Sequence, residues 1–160
     1  MAMISFEQML LRLGIAMAIG AMMGVEREMV GKEAGIRTAM MVSAGAAIFA
    51  MISIIIPYMA QVPAEEIKNT LPDRVLSNIV VGIGFLGAGI IIKTGEHVRG
   101  LTTAAFIWTV AAVGTLIGLG LIKFAIASGL ILAGSLYVLR LVKVYERVHP
   151  DFKQHDENRN

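Results

Sequence analysis

The chain has 160 residues, 56% hydrophobic and 16% charged, with a formal net charge of +2 and a mean hydropathy of +0.73. A soluble domain carries about 25% charged residues, and 160 residues cannot bury this much apolar surface, so part of the solvent must be lipid. The 14 basic residues are too scattered for a nucleic-acid groove, and the lack of cysteine excludes disulfides, thiolate catalysis and Cys-ligated zinc.

About 20 apolar residues span the hydrocarbon core as a helix. The first predicted span is residues 6–25, interrupted by Arg12. Residues 1–6 carry no Lys or Arg, and the run ends in Glu26-Arg27-Glu28 rather than at a small-residue cleavage site. It therefore reads as a retained membrane helix, not a signal peptide. The second span is 38–56, stopped by Pro57, and the third is 75–92. Residues 101–139 then carry one charge, Lys123, beside Gly118-Leu119-Gly120. As one helix that run is about 58 Å long, roughly twice the hydrocarbon thickness. It should fold back at the glycines into spans 101–119 and 121–142. The expected fold is all-α, a polytopic integral membrane bundle of five transmembrane helices. Residues 1–144 form the membrane domain and 145–160 a short polar tail.

Ten of the 14 Lys and Arg fall in the loops after spans one and three and toward the C-terminus. The opposite side has Arg12, Lys68, Arg74 and Lys123. Positive charge marks the cytoplasmic side, so the N-terminus is expected outside and the C-terminus inside.

The third span contains Gly82-Ile83-Gly84-Phe85-Leu86-Gly87, a literal G-x-G-x-x-G. A dinucleotide-binding turn needs an acidic residue about 20 residues on. None occurs between Glu96 and Glu146, and apolar residues continue on both sides. Close helix packing is the better reading of these glycines, since small residues let backbones approach in lipid. At 100° per residue, Asn78, Gly82 and Gly89 fall on one face. Ser77, Gly84, Gly87 and Ala88 fall on the opposite one, with Ile79, Ile83, Leu86 and Ile90 as a bulky stripe between. This predicts a helix wedged between two neighbours by its small faces, with the stripe toward lipid or a third partner. Gly20 and Gly24 in the first span, Gly114 and Gly118 in the fourth, and Gly129 in the fifth repeat the device.

Arg12 lies within the outer hydrocarbon if Glu26 lies at the inner interface. Such a charge is usually paired or snorkels to the headgroups. Asp73, at the outer start of the third span beside Arg74, is the candidate partner. The inner ends gather Glu26, Arg27, Glu28, Arg37, Thr38, Arg99, Thr102 and Thr103. Two readings stand: an interfacial charge band with Thr102 as an N-cap, or oxygen ligands for a hard cation such as Mg²⁺, with Glu26 and Glu28 as candidates. Trp108, two turns into the fourth span, is deep enough that its indole N–H needs a partner inside the bundle. No nucleophile–base pair is present, so no enzyme is expected.

The segments GVERE (24–28), GIRT (35–38), DR…IVVGIGFLGAGIII (73–92) and VRGLTTAAFIW (98–108) closely resemble the membrane domain of the MgtC/SapB family. The resemblance covers about residues 8–142. It implies a bacterial inner-membrane protein linked to magnesium limitation, acid stress, virulence and survival inside macrophages. The family name implies Mg²⁺ transport; some relatives imply a regulator of another membrane complex such as the F-type ATP synthase. The motif positions carried over are Glu26, Arg27, Glu28, Arg37, Thr38, Asp73, Arg74, Gly82, Gly84, Gly87, Gly89, Thr102, Thr103 and Trp108. Ala39 departs from the histidine or polar residue of many relatives, and Asn78 and Val81 from their Gln and Ser. The soluble C-terminal domain of the virulence-type members is not expected here. Small helix faces also make a homodimer an expected state. A phosphatase reporter, active only outside the cytoplasm, fused after His149 should give no signal; strong activity there would refute the expected orientation.

Overall fold

A computed structural model describes residues 4–59 and 72–141. Among the described residues five helices form one bundle: α1 Phe6–Met29, α2 Ile36–Met59, α3 Pro72–Ile90, α4 Leu101–Gly118 and α5 Ile122–Leu141. A two-stranded antiparallel hairpin, β1 Ile92–Thr94 and β2 His97–Arg99, joins α3 to α4. Among the described residues four helices are long and apolar enough to cross a membrane, and α3 adds a shorter apolar helix, Arg74–Ile90. The expected all-α membrane bundle is therefore the observed class.

Local chemistry sets the ends. Ser5 caps α1 reciprocally: its hydroxyl accepts from the Gln8 N–H and its own N–H donates to Gln8 Oε1, both at 3.3 Å. The helix runs through Glu26-Arg27-Glu28 to Met29, four residues past the expected end, because charged residues at an interface do not interrupt helical hydrogen bonding. Likewise α2 continues through Pro57 to Met59; a proline in the last turn costs little of the hydrogen-bond ladder. At its other end α3 stops at Ile90, so Ile92 belongs to β1 and not to the helix. Gly100 has φ 86°, and a Cβ there would collide with the Ile90 carbonyl oxygen. Only glycine fits that reversal.

The core is the passage of α2 between α1 and α4. Ala39, Ser43, Ala47 and Ala50 are fully buried along one side of α2. A Cβ on Gly20 would lie 2.7 Å from both the Ala39 oxygen and Ser43 Cβ, and one on Gly24 2.7 Å from Ile36 Cα. On the other side, Cβ atoms on Gly114 and Gly118 would strike the Ser43 and Ala47 carbonyls. These four glycines therefore bring backbones into contact. Between the small residues Met23, Val110, Val113 and Ile117 fill the remaining space. Helix α5 lies outside this unit, against α1 and α4. Gly129 meets Ile19 there, while Leu130 and Ile131 stay exposed.

The expected arrangement of α3 is reversed. Its bulky stripe faces inward: Ile83 and Ile90 pack against the buried core, and Ile79 lies between α2 and α4. Gly82, Gly84 and Gly89 are exposed, and a Cβ on any of them would meet nothing within 4 Å. Only Gly87 of this group packs, at 3.5 Å from Ala104 Cβ. The cause is spatial. The contact between α2 and α4 uses up their small residues, so none is left to match a small face of α3, and α3 packs beside that contact through its large side chains.

Gly118→Leu should therefore lower stability by at least about 1–3 kcal/mol, the cost of forcing atoms into a packed seam. Gly84→Leu should leave it unchanged. Thermal unfolding in detergent reads both; equal losses would refute the assignment of inner and outer glycines.

Candidate functional site

The two ends of the bundle each have a polar latch. At the first, α1 delivers Arg27 from its last turn into the space beside the start of α4. Arg27 is 6% exposed. Its Nη2 donates to Thr103 Oγ1 at 2.5 Å and to the Glu33 carbonyl at 3.1 Å. The guanidinium also stands over the Phe106 ring, 5.3 Å from the centroid, a cation–π distance. Thr103 and Phe106 are three residues apart and share one side of α4. One arginine thus ties together the end of α1, the loop before α2 and the first turn of α4. Its Nε is buried with no partner among the described residues.

Glu28 has a different task. Its Oε2 accepts from the Ile36 N–H at 3.1 Å, which satisfies a free donor at the start of α2. A Cβ on Gly35 would collide with that carboxylate, so glycine leaves it room. Glu26 is half-buried beside Arg27. Arg37, Thr38, Arg99 and Thr102 are exposed. The N-cap of α4 is Gly100, without a side-chain hydrogen bond, so Thr102 does not cap the helix as expected. Among the described residues no group of three or more His, Cys, Asp and Glu could hold a metal ion. Trp108 is 51% exposed and lines the seam between α3 and α4. Among the described residues its indole N–H has no hydrogen-bond partner inside the bundle, contrary to expectation.

At the opposite end, Arg12 Nη1 donates to the Gly118 carbonyl at 2.8 Å. A helix leaves its last carbonyls unpaired and carries partial negative charge there, so a guanidinium satisfies both needs. Gly120 has φ 89°, and a Cβ on it would sit 2.9 Å from Arg12 Nη2. The side chain of Asp73, the expected partner of Arg12, lies outside the described residues. The helix that bears it packs on α2 and α4, and α1 is not among its main neighbours. Arg74 and Asn78 are exposed on α3.

The sequence singles out Arg27, Thr103, Glu28 and Arg12 but does not pair Arg27 with Thr103 and shows none of the other contacts. Phe106 was findable from its spacing to Thr103. The Glu33, Ile36 and Gly118 contacts use backbone atoms, which leave no mark in residue identity.

The geometry defines a polytopic membrane protein whose helices are locked by backbone contact and by an arginine at each end. The MgtC family profile matches residues 13–145, and the chain belongs to that family. It is 42% identical to Protein MgtC of Salmonella typhimurium over 131 residues, covering 82% of this chain and 52% of that protein. With Protein MgtC of Brucella abortus the identity is 43% over 132 residues, covering 82% and 51%. An uncharacterized protein of Synechocystis is 36% identical over 145 residues, covering 91% and 58%. The chain thus spans about half the length of the curated relatives it matches. No solved structure matches it.

Thr103→Val should cost about 1–3 kcal/mol, because it leaves a buried guanidinium donor unsatisfied, whereas Thr103→Ser should be nearly neutral. Thermal unfolding of the two variants in the same detergent checks this; matched stabilities would show that the Arg27–Thr103 bond contributes nothing.

Proposed function

We propose that the chain is a binding module of the bacterial inner membrane. It acts in magnesium and acid-stress homeostasis by docking a transmembrane helix of another membrane protein. The homeostatic role follows from family membership and what the resemblance implies. The binding role rests on the outward face of α3. Gly84 and Ala88, four residues apart, are exposed there, and Gly84 has nothing within 4 Å of where a Cβ would be. Phe85, 80% exposed, stands beside them. Small residues at this spacing let helix backbones meet in lipid, and α1, α2 and α4 use the same spacing within the chain. On α3 the device has no partner among the described residues. A second helix gains packing there that lipid chains, which cannot follow a backbone closely, do not supply.

Cation transport is the other reading of the family name. Its candidate ligands are Glu26, Glu28, Thr102 and Thr103. Two of these already serve the fold: Glu28 holds the start of α2 and Thr103 holds Arg27. This supports binding over conduction.

Growth in limiting magnesium and reconstituted Mg²⁺ flux separate the two. Gly84→Leu should abolish growth support while unfolding at the wild-type temperature. Glu26→Gln should retain growth support, and proteoliposomes of the purified protein should show no flux. Flux in the wild type that Glu26→Gln removes would establish the transporter instead. Chemical crosslinking at the α3 face identifies the docked helix; a crosslinked homodimer alone would replace the heterologous partner with a second copy.

A further inference from the structure

A groove of about 710 Å³ runs between α2 and α3 on the side away from α4. Met41, Phe49 and Ile52 form one wall and Val75, Ile79 and Leu86 the other. Gly45 and Gly82 lie along it, and neither would meet any atom within 4 Å if given a Cβ. Glycine therefore keeps the groove open without being needed for contact. Met41, Phe49 and Leu86 are exposed, so the groove opens sideways into the surrounding solvent, which at this depth is hydrocarbon.

Its lining and the charge at its end select the occupant. Each wall covers 11 residue steps, from Met41 to Ile52 and from Val75 to Leu86, which is about 17 Å of helix. That matches one leaflet, about half of the roughly 30 Å hydrocarbon core. Its walls are apolar along this length, a lining that suits flexible acyl chains. One polar side chain lines it, Asn78. Arg74 is one turn away on the same side of α3, exposed, with no ion-pair partner among the described residues. A guanidinium at the end of an apolar slot is complementary to a phosphate.

We infer that this groove binds a glycerophospholipid with an anionic headgroup, its acyl chains along α2 and α3 and its phosphate at Arg74 and Asn78. The inference is independent of helix docking, because Gly84 and Ala88 point away from this groove. It also gives Arg74, Asn78 and Gly82 a common purpose that helix packing does not.

The test uses phosphatidylglycerol and phosphatidylcholine added to the detergent-purified chain and read by native mass spectrometry. One tightly held phosphatidylglycerol is expected, favoured about fivefold over phosphatidylcholine, the factor one arginine contributes toward an anionic lipid. Arg74→Gln should abolish the preference. Gly82→Leu should remove the retained lipid without lowering the unfolding temperature. On the wild type, phosphatidylglycerol with a diazirine in its acyl chain should label residues 41–52 and 75–86. Retention of no lipid, a preference that survives Arg74→Gln, or equal labelling of the exposed α5 residues Leu130 and Ile131 would overturn the inference. So would a protein helix crosslinked in the groove.

Discussion

Everything in this bundle depends on α2 passing between α1 and α4 with backbone nearly touching backbone. Ser43 marks the crossing: its Cβ faces Gly20 and its carbonyl faces Gly114. In hydrocarbon no water is released when helices meet, so association depends on close contact and on satisfied polar groups. A side chain at either glycine would separate the helices by several tenths of an ångström or more and forfeit dispersion along the whole seam. The register of the charged ends follows from this crossing. Arg12 meets Gly118 and Arg27 meets Thr103. Fifteen residues separate the contacts on each helix, so the two antiparallel helices rise equally, by about 22 Å, between two arginine latches.

The five-helix organisation was legible in the sequence because lipid imposes long apolar runs and leaves charges only at their ends. The fold-back at Gly118-Leu119-Gly120 was legible too, since a run twice the hydrocarbon thickness has to turn. Gly20, Gly24, Gly114 and Gly118, which the sequence offers as packing residues, are positions where a Cβ would strike a neighbouring helix. The matching seam of α2, Ala39, Ser43, Ala47 and Ala50, carries no distinct signal in the sequence, because alanine is common in apolar runs. The helix ends shifted by two to four residues where charged residues or Pro57 prolonged a helix and where Ile92 joined a hairpin.

Helix α3 shows where periodicity stops being informative. Its wheel presents two small faces and one bulky stripe, and either could have faced the bundle. The choice is made by its neighbours, since α2 and α4 spend their small residues on each other and meet Ile79 and Ile83 of α3 instead. No feature of α3 itself records that arrangement. The same limit applies at the polar ends. Arg12 stands out as a charge in a costly place and Arg27 only as part of the charged layer at the inner ends, but their acceptors are in part carbonyl groups of Glu33 and Gly118, and every residue has a carbonyl.

The Arg12 latch also sets a condition on how the chain is made. Arg12 is synthesised well before its acceptor, which lies 106 positions later. At about 5–20 residues per second, some 5–20 s pass before Gly118 exists. During that interval α1 sits in the bilayer with an unmatched guanidinium, which must stretch to the headgroups or stay with the insertion machinery. Closure of the α4–α5 turn removes that exposure and draws α1 to its final depth. The arginine therefore makes completion of the fourth helix the step that commits the first to its place.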